Sequence, residues 1–350
     1  MRRARPWSPS WPPGGAIVCA VAYYRRGTLY LGHRINYGVG LRRINAVELV
    51  YFLWYGLFGG LTTLLLTVAF GKTSWAEELG RRWSRLLDGG PKVLVVCVGV
   101  QLVAMLAVQQ LVYAGAALSD DESTYRFIAQ TLLRGRVINP SPGDLPFFDN
   151  QFIVLDERGW WGKYPIGWPL LLAVGEAVGL PGLVSPLVTC SATVVTFMLA
   201  RRTHGERIAT MAVLLLTVSP QWVLTGAAMF SQPASCLCML VVAWALAGER
   251  VGPKAMLATG MAAGFGVLVR PLPGVLFLGV GLLFLLARRD WYARDKARAV
   301  GLAAGPVLMW AAVFMLVNGA QTGSFFVTGY QAWHGGVPTL GRTELPRATW

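Results

Sequence analysis

Long apolar runs separated by short basic gaps restrict this chain to a membrane protein. Hydrophobic residues make up 55% of its 350 residues and charged residues only 14%, whereas a soluble domain devotes about a quarter of its residues to charge. A spanning helix needs about 20 mainly apolar residues. The runs that come close to this length are 93–118, 181–200, 207–227, 233–247, 255–270, 273–287 and 299–318. We therefore predict an all-α polytopic membrane protein.

The positions of lysine and arginine predict the orientation of these runs. The net charge is +14, but the basic residues gather in gaps, as cytoplasmic loops do under the positive-inside rule. The basic gaps are 201–207, 248–254 and 288–298. The intervening segments should then face outward: 119–165, 228–232, 271–272 and 319–350. This distribution argues against nucleic-acid binding.

Composition divides the chain into four parts. They are a basic, partly disordered N-terminal segment (1–44), an extra hydrophobic segment with a basic cytoplasmic loop (45–91), a transmembrane core (92–318) that contains the first outer loop (119–165), and an outward segment (319–350). Because both flanks of 45–70 are basic, this segment either crosses once or forms a re-entrant hairpin at Gly59-Gly60. The outward segment ends without a closing helix, so we expect the chain to be truncated.

The first outer loop concentrates acidic residues. Asp120, Asp121 and Glu122 follow one another directly after an apolar run. Carboxylates this close repel one another unless a cation or a proton-bearing substrate is near, which makes them a candidate site. Alternatively, they are the solvated start of a helix that Ser119 or Asp120 caps.

Two features of the same loop predict how it lies. Apolar residues recur at helical spacing between Tyr125 and Leu133, which indicates an amphipathic helix in the membrane interface. Near the loop's end, Trp160 and Trp161 belong to the types that favour the headgroup level. Lys163 stands beside them, and it either snorkels to the interface or contacts a phosphate.

These residues also carry a family resemblance. Asp121-Glu122, Tyr125 and Ile128-Ala129, followed by the stretch from Lys163 to Leu170, are similar to the GT-C class of membrane glycosyltransferases. Within that class the chain resembles the protein O-mannosyltransferases and the lipid A aminoarabinose transferases. Further stretches of the same kind are Ser219–Pro233, Arg270-Pro271 and Asn318–Tyr330. The resemblance covers about 92–335.

The resemblance implies a GT-C-type helical bundle that transfers a sugar from a polyprenyl-phosphate-linked donor on the outer face. It implies an inverting reaction in which Asp121 is the general base, with Asp120 as the alternative and Glu122 as a further candidate. A positioned proton acceptor suits a hydroxyl nucleophile, and cations suit a departing lipid phosphate. Lys163, Tyr164 and Arg270 are the candidate phosphate-binding residues, although an arginine at a helix end is also commonly an interfacial anchor.

The expected partners are the lipid-linked donor, a lipid, glycan or protein acceptor, and membrane lipids of the bacterial inner membrane. A divalent metal ion stays open as a cofactor, and no metal-ligating residue is predicted. Some relatives carry a second acid where this chain has Ser231 and Gln232, which argues against a metal or a second base there. His33, His204 and His334 show no paired metal-ligand spacing; His334 follows aromatic residues that suit a sugar platform.

Two other functions fit a polytopic chain. A transporter or flippase of a lipid-linked substrate would place charges near the bilayer midplane. Here the runs are almost free of charge, with Glu48 and Glu176 as the nearest exceptions. A silent scaffold would tolerate neutralisation of the outer acids.

Overall fold

The computed structural model of the chain describes residues 74–117, 119–141, 152–156, 158–248, 252–287 and 292–336. The residues from Leu79 onward belong to one compact unit, and the fold described below lies within it except for Ser74–Glu78. The predictions for 1–44 and 45–70 fall outside the described residues.

Within the described ranges the chain is mostly helical. The helices are α1 (Ser74–Leu87), α2 (Gly90–Ala107), α3 (Asp120–Leu133), α4 (Gly167–Ala177), α5 (Pro181–His204), α6 (Glu206–Thr217), α7 (Pro220–Ala227), α8 (Gln232–Leu246), α9 (Pro253–Val269), α10 (Pro271–Ala287), α11 (Ala293–Thr322) and α12 (Gly329–Gln331). Two π-helical turns continue α2 (Val108–Val112) and α12 (Ala332–Gly336). Strands β1 (Ile153–Asp156) and β2 (Gly159–Gly162) form an antiparallel hairpin, which the sequence analysis did not predict.

Among the described residues, three helices are long and apolar enough to cross a membrane by themselves. They are Gly90–Val112, Pro181–His204 and Ala293–Thr322, of 23, 24 and 30 residues. The apolar helices α8, α9 and α10 are shorter. Large apolar side chains on these elements are exposed, such as Val95 at 71% and Leu283 at 67%, and lipid can cover them. The predicted all-α polytopic membrane fold is confirmed.

The run 207–227 was predicted to be a span, and in the structure it is bent, so it forms either one broken span or a re-entrant loop. The run is broken into α6 and α7, whose axes differ by 64°. The hydroxyl of Ser219 accepts a hydrogen bond from the backbone N–H of Trp222 at 3.4 Å and so caps α7. Pro220 follows as the first residue of α7, where the helix has no hydrogen-bond partner for an N–H and its absence causes no loss. The same proline prevents α6 from continuing, because it cannot donate the next helical hydrogen bond.

A second break separates α9 from α10, between the predicted runs 255–270 and 273–287. Arg270 ends α9 with extended backbone angles of −147° and 103°, and Pro271 begins α10. Helix α9 also packs closely on α11, because a side chain at Gly264 would lie 2.8 Å from the ring of Trp310. The C-terminal end of α9 is therefore fixed in the bundle, and Arg270 with it.

Helix ends that lie beside two of the basic gaps, 201–207 and 248–254, are close to each other. Arg207, the second residue of α6, donates to the carboxylate of Asp88, just before α2, with a shortest separation of 2.6 Å. Arg202, at the end of α5, donates to the carbonyl oxygen of Trp244 near the end of α8 at 3.1 Å. Helix ends that the alternating topology assigns to one side are therefore neighbours.

The opposite ends of α8 and α9 meet the first outer loop. Helix α3 buries one face against α4, with Ile128 at 4% and Ala129 at 0% exposure, so its amphipathic character is confirmed. The guanidinium of Arg126 on α3 also pairs with the carboxylate of Glu176 on α4 at 2.7 Å. Glu176, an exception among the nearly uncharged runs, is thus one half of an ion pair between these two helices.

Candidate active site

The start of α3 carries the three consecutive carboxylates. Ser119 caps this helix, because its hydroxyl accepts a hydrogen bond from the backbone N–H of Glu122 at 3.4 Å. Of the two residues that the sequence offered as the cap, Ser119 and Asp120, the structure shows Ser119. The three side chains then diverge by helical geometry: Asp120 is exposed, Asp121 is half-buried and Glu122 is only 1% exposed.

Asp121 is held by a residue that lies 43 positions further along the chain. The phenol of Tyr164 donates a short hydrogen bond to Oδ1 of Asp121. Burial raises the pKa of Tyr164, and the hydrogen bond and the charge of Asp121 raise it further. Tyr164 therefore stays protonated and remains a donor, which fixes the carboxylate in one orientation.

Three tyrosine rings form a cluster around this hydrogen bond. The ring centroid of Tyr164 lies 4.7 Å from that of Tyr125 and 5.7 Å from that of Tyr330. The phenol of Tyr125 in turn makes a hydrogen bond with the hydroxyl of the buried Ser231 at 3.1 Å. Residues from α3, the loop before α4, the turn before α8 and α12 thus meet at one place, which we call the tyrosine cluster (Tyr125, Tyr164 and Tyr330).

Arg270 acts electrostatically on this cluster. The pKa of Tyr330 is raised to about 12, mainly by burial; interactions with Tyr125 and with the charge of Asp121 also raise it, and the guanidinium of Arg270 lowers it. Burial likewise raises the pKa of Tyr125, and Arg270 again acts in the opposite direction. Arg270 and Asp121 therefore both lie within electrostatic reach of the same phenols.

Close backbone packing places Arg270 beside the loop before α4. A Cβ atom added to Gly167, the first residue of α4, would lie 2.5 Å from the carbonyl carbon of Leu268 near the end of α9. Only glycine permits this approach. The loop that carries Lys163 and Tyr164 consequently ends against the last turn of the helix that Arg270 terminates.

Lys163 lies in an aromatic box rather than in solvent. Its side chain is 6% exposed, and its Nζ lies 3.7 Å from the ring centroid of Phe152 and 3.5 Å from that of Trp333. Cation–π attraction stabilises an ammonium in such a position. The burial argues against the alternative in which Lys163 snorkels to the membrane interface.

The structure thus brings Asp121, Tyr164 and Lys163 together and sets Arg270 within reach of the same cluster. Asp120 is exposed, and Glu122 is buried. The sequence analysis did not predict that Ser231, Tyr330 and Trp333 contribute to this region. Ser231 was considered only because some relatives have an acid there. Tyr330 and Trp333 were considered only as part of the family resemblance and of an aromatic run. These residues lie far from Tyr164 in the sequence, so no local pattern could predict their contacts with it.

The chemistry available here is proton acceptance by a carboxylate beside cationic groups. Among the described residues, no group of three or more His, Cys, Asp or Glu side chains could hold a metal ion. The described cysteines Cys97, Cys190, Cys236 and Cys238 form no disulfide.

Comparison with known proteins finds one similar family. Residues 173–315 match the family model of the dolichyl-phosphate-mannose-protein mannosyltransferases. The matched segment includes Arg270 and begins after the helix that bears Asp121. No curated protein and no solved structure matches the chain. The match supports the resemblance drawn from the sequence: over these residues, which are less than half of the chain, the protein is similar to the dolichyl-phosphate-mannose-protein mannosyltransferases, a family of the GT-C type.

Proposed function

We propose that the protein transfers a sugar from a polyprenyl-phosphate-linked donor to an acceptor hydroxyl, with inversion at the anomeric carbon and with Asp121 as general base. One observation supports this proposal most strongly. Tyr164 holds the carboxylate of Asp121 in place and also lies beside Lys163, and Arg270 acts electrostatically on the same tyrosine cluster. Such a transfer needs a base at the attacking hydroxyl and positive charge at the departing phosphate.

Asp121 supplies the proton acceptor. As the acceptor oxygen attacks the anomeric carbon, its proton passes to the carboxylate and the bond between that carbon and the phosphate oxygen breaks. The bonding electrons remain on the phosphate oxygen, and polyprenyl phosphate leaves. Attack from the face opposite the leaving group inverts the anomeric configuration. Tyr164 supports this step because its hydrogen bond limits the rotation of the Asp121 side chain.

Lys163 and Arg270 supply positive charge for the leaving phosphate. Charge that develops on the phosphate oxygen is stabilised by a cation that is already in position, and the guanidinium can make two parallel hydrogen bonds to phosphate. Tyr164 adds a phenol to the same region. These roles rest on the positions of the side chains and on the family resemblance.

We further propose that the site faces outward, on the periplasmic side of a bacterial inner membrane. The support for this assignment is the separation of the cluster from the end of the bundle that carries Arg202 and Arg207, since basic loops favour the cytoplasm. The acceptor would be a lipid, a glycan or a protein.

The test is transfer of radiolabelled sugar in membranes that contain the full chain. A panel of polyprenyl-phosphate sugars is supplied to right-side-out and inverted vesicles, with and without EDTA, and the label is followed into lipid-extractable and insoluble products. The proposal expects label to leave the lipid in right-side-out vesicles and the product to have the inverted linkage. Label that changes leaflet while it remains on the lipid would instead identify a transporter or flippase.

A further inference from the structure

Helix α1 is amphipathic, and part of its apolar face is exposed. Trp83 and Leu86 are 46% and 38% exposed, and their spacing of three residues places them on one face of the helix. The helix has five charged residues among its 14, so it is too highly charged to cross the hydrocarbon core. A helix with one apolar and one charged face is typical of the membrane interface.

The positive charge of α1 is concentrated in its C-terminal half (Gly80–Leu87). This half contains three arginines and no acidic residue, and the side chains of Arg81, Arg82 and Arg85 are all exposed. By helical geometry Arg81 and Arg85 lie one turn apart on the face opposite Trp83, and Arg82 lies at the edge of the apolar face. Guanidinium groups in these positions suit phosphate oxygens, with which they can make two parallel hydrogen bonds.

A short elbow (Asp88, Gly89 and Gly90) joins α1 to α2, whose helix and π-helical turn are long and apolar enough to cross a membrane. Gly90 has a φ of 44°, in the left-handed region, so α1 does not run on into α2 as one helix. The three peptide units from Leu87 to Gly90 extend at most about 11 Å. Because the headgroup layer is about 5–8 Å thick on each side of a bilayer, the end of α1 lies at or near the headgroups.

The elbow is held against the start of α6. Arg207 donates to the carboxylate of Asp88 with a shortest separation of 2.6 Å, and a Cβ atom added to Gly90 would collide with the carboxylate of Glu206. The ion pair also matters for the charge of this region. Since the negative charge of Asp88 is paired with Arg207, it opposes an anionic surface less than a solitary carboxylate would.

We propose that the C-terminal half of α1 lies in the membrane interface and binds anionic phospholipids. Trp83 and Leu86 face the acyl chains, and the three arginines contact the headgroup phosphates. The apolar segment 45–70 of the same chain is the other possible cover for this face. That segment has one charged residue, Glu48, against three arginines, so charge complementarity favours an anionic lipid surface. The inference does not depend on the proposed sugar transfer.

The test measures hydrogen–deuterium exchange of the α1 amides in the full chain, reconstituted in nanodiscs. Discs of phosphatidylcholine alone are compared with discs of phosphatidylcholine and phosphatidylglycerol in equal parts. The variant Arg81→Gln/Arg85→Gln removes two of the three charges. Arg134→Gln/Arg136→Gln is the matched control, because it removes two exposed arginines that follow α3 and leaves α1 intact. Peptides from α2 report whether each protein is folded.

The wild type should respond to lipid charge. Its α1 amides should exchange at least about tenfold more slowly in the discs that contain phosphatidylglycerol, because each arginine near an anionic surface contributes about fivefold in binding and docking suppresses the opening that exchange requires. Arg81→Gln/Arg85→Gln should reduce this difference at least about fivefold, and the control variant should keep it. About 1 M salt should also shrink the difference in the wild type, because the Debye length falls to about 3 Å.

Two results would overturn the proposal. The first is equal exchange of the wild-type α1 amides in both kinds of disc, which would indicate that segment 45–70 or another part of the chain covers the helix. The second is a difference that persists unchanged in Arg81→Gln/Arg85→Gln. If the double variant does not reconstitute, Arg81→Gln and Arg85→Gln are measured singly, and each should reduce the difference by about two- to fivefold; no reduction in either would again overturn the proposal.

Discussion

Removing one phenol oxygen should separate the positioning of Asp121 from the packing around it. Tyr164→Phe keeps the ring and therefore its contacts with Tyr125 and Tyr330, but it deletes the hydrogen bond to the carboxylate. A hydrogen bond to a charged group contributes about 1.5–3 kcal/mol. If that free energy holds the base in its reactive orientation, kcat should fall by about 10- to 150-fold. The fall should come with little change in KM.

The assay is initial-rate sugar transfer at several donor concentrations, with protein amount and melting temperature measured in parallel. Tyr125→Phe is the matched control, because its phenol contacts the hydroxyl of Ser231 and makes a neutral hydrogen bond. It should lower stability by about 0.5–1.5 kcal/mol and leave kcat within about threefold of the wild type. A folded Tyr164→Phe protein with wild-type kcat would refute the reasoning.

Three further perturbations follow from the fold. Glu176→Gln leaves the half-buried Arg126 without its carboxylate partner. It should lower the free energy of unfolding by about 1–2 kcal/mol, between the values for exposed and for buried ion pairs. Denaturant unfolding measures this loss, and the double variant with Arg126→Met should recover part of it. Gly329→Val would force a side chain into the backbone of Lys163 and should lower both the melting temperature and transfer, whereas unchanged values would contradict the contact. Folding raises the pKa of Tyr330 from 10.0 to about 12. The stability that this shift contributes is therefore complete below pH 10 and is lost as the pH rises through 12. Between these pH values the melting temperature of Tyr330→Phe should fall less steeply than that of the wild type.

The helical core could be predicted because its signals are local. The apolar period between Tyr125 and Leu133 predicted the amphipathic face of α3, and the gap between the runs 255–270 and 273–287 predicted the break after α9. The break between α6 and α7 also had a local signal, since Ser219 and Pro220 are a helix cap and a first-turn proline. That signal was overlooked because the apolar run continued through it.

The site could be predicted only in part, because its contacts are long-range. The sequence and the family resemblance singled out Asp121, Tyr164 and Lys163, but no local pattern could show that Tyr164 donates to Asp121. The position of Trp333 against Lys163 joins residues 170 positions apart and depends on how α11 ends. The hairpin of β1 and β2 escaped prediction because such short strands owe their stability to tertiary contacts, here including backbone hydrogen bonds between Trp160 and Asn139.

The most direct test of the central claim compares three variants in the radiolabel transfer assay with the full chain. Asp121→Asn, Asp120→Asn and Glu122→Gln each neutralise one of the consecutive carboxylates and nearly preserve its shape. The account predicts that transfer falls by at least about 100-fold in Asp121→Asn, in the range of a lost general base, and stays within about threefold of the wild type in Asp120→Asn, whose side chain is exposed. Glu122→Gln should act mainly through stability, because Glu122 is buried. Loss of transfer in Asp120→Asn with retention in Asp121→Asn would contradict the account.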